Sequence, residues 1–202
     1  MNDLDWTPPP CDRLTVLPAG RQWDAVRTDA RTARWAFGFL DAIERSAAIV
    51  DSRTGSVHWL VPPGEAARAP YDDWERLRQH VTVLTAGPTV HYVGVPAGHL
   101  CDGGGPRWHV PAAWSGSYVT QPHLLAAVLG TAVVRAHGPA GLAPQCAVCG
   151  RAMDRASMVT TVGRLRRGDP LQHLESHPTC AHALVGPEVR REAAEAAEVA
   201  GW

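Results

Sequence analysis

Two short stretches in the last third of the chain constrain its folding more than anything before them. They are "CAVCG", carrying Cys146 and Cys149, and "ESHPTCAHAL", carrying His177 and Cys180. A CxxC pair followed by Gly150 predicts a tight knuckle that turns two thiolates toward one point. In "SHPTCAHAL", Pro178 sits in the first turn of a predicted helix, so His177 and Cys180 face the same side three positions apart. Between the pairs, "SMVTTVGRLRRGDPLQHLES" reads as a hairpin with its turn at "RRGDP". Two thiolates from a loop plus an imidazole and a thiolate from a helix make a Cys3His set, a closed tetrahedral arrangement suited to structural zinc. His173 and His182 are competitors, because His173 with His177 has H-x3-H spacing. A segment this small has too little core to fold alone, so zinc would supply on the order of 10 kcal/mol of its folding free energy.

The rest of the composition narrows the setting. Five cysteines are an odd number, and "MNDLDWTPPPCDRL" has acids and prolines where a signal peptide needs a basic and then an apolar stretch. The longest apolar run, "LLAAVLGTAVV", is too short to span a bilayer. The expectation is a soluble cytoplasmic chain with reduced thiols and no membrane contact, in which CxxC binds metal rather than forming a disulfide. A net charge of −1 over 202 residues gives no global basic field, so any nucleic-acid contact must come from a local patch.

Before the cysteines the pattern is different. Short β-like runs at Leu14–Leu17, Asp24–Arg27, Ala47–Val50, Val57–Val61, Val81–Leu84, Val90–Val95 and Arg107–Val110 are bounded by Pro and Gly. "IVDSRTGSVHWLV" predicts a hairpin that must stop at the double proline after Val61, and Val81–Val95 predicts a second hairpin around "AGPT". One helix is predicted over "ARTARWAFGFLDAIER", with Trp35, Ala36, Phe39, Leu40 and Ile43 as its apolar face. Another follows Thr120 as N-cap, with Pro122 in its first turn, and is largely buried. Residues 1–137 thus form an α+β domain, 138–144 ("GPAGLAP") a linker, and 145–202 the zinc module with a C-terminal helix.

"LPAGRQWDAV", "VHWLVPPGEAA", "HYVGVPAG" and "GGGPRWHVPAAWSGSYVTQPHLLAAVL" resemble, in order and spacing, actinobacterial proteins related to the N-terminal domain of bifunctional DNA primase–polymerases. The resemblance covers Leu14 to Ala136. It implies a small mixed sheet with packed helices that houses a metal-dependent nucleotidyl transfer site. Active members of that family need neighbouring carboxylates to clamp two divalent ions. Here Asp24 matches an acid, but Arg27 stands where the second carboxylate belongs. Asp51 is a substitute acid or a turn starter, and His58 and His91 are either the family's histidine or half-buried strand residues. The resemblance therefore implies a degenerate member with no catalytic site. The C-terminal plan of knuckle, hairpin and helix resembles treble-clef zinc modules.

"RLRRGD" adds Arg164, Arg166 and Arg167 at the hairpin tip, a local basic cluster that fits phosphates or merely solvates a turn. The leading expectation is a non-catalytic accessory protein associated with DNA or RNA. The alternative is a protein-interaction module, through a protein partner or a homodimer, favoured by near-zero charge and eight tryptophans. A nucleotidyl transferase is third. The closing "GPEVRREAAEAAEVAGW" predicts a charged helix with an alanine stripe.

Overall fold

The computed structural model describes residues 6–66, 73–154, 156–165 and 172–184. The chain divides into two compact units, Met1–Leu142 and Ala143–Trp202. It is α+β. In the first unit β1 (Thr15–Pro18), β2 (Asp24–Asp29), α1 (Ala30–Ile43), β3 (Ala48–Asp51) and β4 (Ser56–Val61) are followed by α2 (Asp73–Leu77), β5 (Val81–Leu84), β6 (Tyr92–Val95), β7 (Pro106–His109) and α3 (Pro122–His137).

The main sheet has the order β5-β2-β4-β3-β7, and β1 pairs separately with β6. All these pairings are antiparallel, so the expected mixed sheet is corrected. The β3–β4 hairpin forms as predicted, with Asp51 opposite Ser56, Gly55 at φ +66° in the turn, and the ladder ending at Val61 opposite Asp24. The second predicted hairpin does not form: β5 adds to β2 and β6 to β1. The stretch between β5 and β6 is long enough to cross to another strand, and it passes so close to Gly20 that a Cβ there would collide with the Ala86 backbone. Gly20, at φ +88°, meets both demands that only glycine satisfies.

Period-two alternation along β4 explains the layering. Val57, Trp59 and Val61 join α1 and α3 in one core, with Leu40, Leu125, Leu129 and Val133. Leu60 points to a second core with Trp23, Ile49, Trp108, Val93 and Val95, beneath the β1–β6 ribbon. α1 is rotated from its predicted orientation. It buries Ala33, Ala36 and Leu40, while Trp35, Phe39 and Ile43 remain 40%, 43% and 62% exposed. Small residues at 33 and 36 let α1 lie close against α3, and that contact outweighs burial of the larger side chains on the neighbouring arc. The N-cap of α3 is Gln121 rather than Thr120, whose hydroxyl is buried against that of Ser46 at 2.7 Å.

The stretch expected as a linker is partly structured. Gly138 ends α3, Pro139–Gly141 forms a single 3-10 turn, and the boundary between units falls after Leu142. The glycine run 103–105 folds onto the β3–β4 turn, where the Gly105 amide donates to Ser52 Oγ at 3.1 Å.

In the second unit β8 (Val159–Gly163) pairs antiparallel with β9 (Gln172–Ser176), and α4 (Pro178–Leu184) follows. Among the described residues its buried apolar side chains are Ala143, Cys146, Ala152, Met153 and Leu174. Of these described residues only Met153 and Leu174 are large. The "RRGDP" turn and the predicted C-terminal helix lie outside the described residues.

Candidate functional site

The knuckle is built by its own backbone. The Cys146 amide donates to the Arg151 carbonyl at 2.8 Å, and the Gly150 amide returns to the Cys146 carbonyl at 2.9 Å. Gly150 takes φ +73°, which closes the loop. The Ala147 amide bonds the Glu175 carbonyl at 2.9 Å and ties the loop to β9. His177 immediately precedes α4 and Cys180 sits in its first turn, where the Cys180 and Ala181 amides donate to the His177 carbonyl.

These elements bring one ligand atom each from Cys146, Cys149, His177 and Cys180 within 4.8 Å of one another, so the four could hold a metal ion. His177 Nδ1 lies 3.5 Å from Cys149 Sγ and 3.9 Å from Cys180 Sγ. Its other nitrogen, Nε2, is 3.3 Å from the Ala152 carbonyl, an outer contact of the kind that fixes ring orientation in metal sites. The competitors are not in the cluster: His173 is exposed on β9 and His182 is exposed on α4.

The thiols are tuned in opposite directions. Burial would raise Cys146, but the amides of Cys149, His177 and Val148 and the Cys149 thiol outweigh it and bring it down to about 6. Cys180 is pushed up by burial and by the neighbouring Cys149 and Cys146 sulfurs. One thiolate is stabilised by dipoles, and crowding with its neighbours opposes a further charge; a cation at the centre would relieve that crowding.

The weak catalytic candidates do not converge. Asp24 pairs with Val61 and Asp51 with Ser56, at opposite ends of β4, about 17 Å apart along a strand. Two catalytic metal ions need to be held roughly 4 Å apart. Asp24 is buried, and its Oδ2 accepts the Gly64 amide at 2.8 Å. Asp51 starts the turn, accepting from the Arg53 amide at 3.0 Å and the Thr54 hydroxyl at 2.9 Å. Asp24 and Arg27 are three apart on a strand and so face opposite sides of the sheet. His58 lies opposite Arg27 on β4, and His91 is exposed ahead of β6.

Of the hairpin arginines, Arg164 is half-buried just after β8, while Arg166 and Arg167 lie outside the described residues. A cationic surface unnoticed in the sequence lies instead on the first unit. Arg34, Trp35, Gly38 and Phe39 of α1 line a groove with Arg135 of α3, and no carboxylate is among its lining residues. Arg31 is exposed one turn before Trp35. Its signal in the sequence is arginines interleaved with aromatics, the same aromatics that helical periodicity alone directs to the core.

Fold and site define a class: an α+β protein with an antiparallel sheet between a helical layer and a β-ribbon, and a second unit carrying a Cys3His cluster able to hold a metal ion. No family model, curated protein or solved structure matches this chain. No helix among the described residues is long and apolar enough to cross a membrane.

Proposed function

We propose that the protein is a non-catalytic, nucleic-acid-associated accessory protein whose second unit is held together by structural zinc. The observation that carries the nucleic-acid reading is the α1 groove, where Trp35 and Phe39 are exposed between Arg34 and Arg135 with no lining carboxylate. Exposed aromatics stack on bases at about 1–3 kcal/mol each, and guanidinium groups pair with phosphates. A single strand, with its bases accessible, suits this surface better than a duplex. The resemblance to primase–polymerase domains agrees with this ligand class.

Zinc is supported by the donor set and by its spacing. With Zn–S near 2.3 Å and Zn–N near 2.05 Å, a tetrahedron has S···N edges of about 3.6 Å. His177 Nδ1 lies 3.5 Å from the Cys149 sulfur and 3.9 Å from that of Cys180. Four protein donors leave no position for a catalytic water, so the ion would act by holding the knuckle to α4.

Fluorescence anisotropy with single-stranded and duplex DNA and RNA across a salt series tests the reading. Single strands are expected to bind more tightly. A Trp35→Ala, Phe39→Ala double variant should bind at least tenfold more weakly, and Arg34→Ala with Arg135→Ala should lower the salt slope by about 1.4. Loss with Arg164, Arg166 and Arg167 changed to Ala, with none in the α1 variants, would place the contact on the hairpin instead. Absence of binding at low salt would overturn the nucleic-acid reading. It would favour the second one, a protein-docking face for which exposed Trp35, Phe39 and Ile43 offer an apolar line on α1.

A further inference from the structure

Three residues far apart in sequence, none of them in the sites above, meet on the first unit. Asp29 ends β2 and caps α1, His80 immediately precedes β5, and His137 is the last residue of α3. One ligand atom from each lies within 4.8 Å of the other two. We propose that Asp29, His80 and His137 form a second divalent-cation site, suited to zinc or a similar borderline ion. Three protein donors would leave a coordination position for water or an anionic ligand.

The surroundings hold the donors in place. The Asp29 carboxylate accepts the Thr32 amide through Oδ1 at 2.9 Å and the Thr32 hydroxyl through Oδ2 at 2.9 Å. The same hydroxyl lies 2.8 Å from His137 Nε2, which is itself 3.5 Å from Asp29 Oδ2, so Thr32 joins two of the three donors; for Nε2 to bind an ion it must give up its proton and this contact. Thr28 Oγ1 donates to the His80 carbonyl at 2.8 Å, tying the third donor's backbone to β2. Gly141 closes the cluster. A Cβ there would stand 2.9 Å from His137 Cβ and 3.4 Å from His80 Nε2, filling the space beside the ring nitrogen.

The two imidazoles are stacked, with centroids 3.7 Å apart and planes 10° from parallel. Ring lone pairs lie in the ring plane, so parallel rings cannot both address one ion. Binding therefore requires one ring to turn. The unstacking of His80 and His137 is a second observable besides stoichiometry.

The test uses the full chain, stripped of metal and reloaded. Elemental analysis after equilibrium dialysis should give two zinc equivalents, falling to one in His80→Ala and in Asp29→Asn. Asn caps a helix about as well as Asp, so loss of the ion in Asp29→Asn with unchanged helicity separates ligation from capping. With cobalt(II), the parent and His80→Ala should show the same thiolate charge-transfer bands, while Cys180→Ser should weaken them and leave the second equivalent bound. The His80 and His137 ring protons should shift on zinc addition in the Cys180→Ser background. A single equivalent in the parent, or a second equivalent that survives both His80→Ala and Asp29→Asn, would overturn the proposal.

Discussion

His58 makes acid sensitivity of the first unit a quantitative matter. It sits on the central strand β4 between Arg27 and Ile49, and its Nδ1 is buried with no hydrogen-bond partner among the described residues. Burial, reinforced by the Arg27 charge and only partly offset by Asp51, lowers its pKa from 6.5 to about 4. The unfolded chain therefore takes up a proton near pH 6.5 that the folded chain refuses until about pH 4. A lowered folded pKa contributes stability that is present above pH 6.5 and lost as pH falls toward 4. From these two values the loss is about 2 kcal/mol at pH 5 and about 3 kcal/mol at pH 4, relative to pH 8. Urea unfolding followed by tryptophan fluorescence reads this unit, since Trp23, Trp59 and Trp108 are all fully buried in it. In His58→Gln the difference in unfolding free energy between pH 8 and pH 5 should shrink by about 2 kcal/mol. Metal release in acid is common to parent and variant and cancels in the comparison. An unchanged pH dependence in the variant would refute the argument that His58 is folded in neutral form.

Asp24 should behave with the opposite sign. Burial raises its pKa despite the Gly64 amide and the Thr85 hydroxyl, so its contribution is greatest in acid and is lost as pH rises through the folded value. Asp24→Asn should flatten that loss, and the same urea series at pH 4 to 8 measures it. Cys180→Ser should unfold the second unit, seen as collapse of the β8–β9 amide resonances, while the melting of the first unit shifts little. Gly20→Ala combines a collision with Ala86 and a positive φ. It should cost well over 1 kcal/mol by chemical denaturation, whereas Gly38→Ala, on an exposed helical face with open space, should be neutral or stabilising.

How much of this was legible in the sequence depended on the range of the interaction. Cys146, Cys149, His177 and Cys180 could be read because a knuckle and a helix start fix each pair locally, and the hairpin between them leaves one way to bring the pairs together. The β3–β4 hairpin was equally local: Gly55 sets the turn and Pro62 with Pro63 stops the ladder. The partners of β5 and β6 were not legible, because loop length does not say whether two strands pair with each other or with earlier ones. The orientation of α1 is hidden in the sequence for a related reason. Hydrophobicity places Trp35 and Phe39 inside, but close approach to α3 selects Ala33 and Ala36. Asp29, His80 and His137 had no local signal, since each lies at the edge of a different element, at the end of β2, just before β5 and at the end of α3, and only the tertiary fold brings them together.

β4 has a strand on either side and a core above and below. Each of its peptide groups is thus held by neighbours that must move together before water can reach it. In hydrogen–deuterium exchange the amides of Val57 to Leu60 should be among the last to exchange, at a rate governed by global opening of the first unit. Those of β8 and β9, a two-stranded pair in a unit with few large buried side chains among the described residues, should exchange far sooner, with protection that follows occupancy of the cysteine cluster. The molecule would thus carry two separate clocks, one set by burial around a central strand and the other by a bound ion.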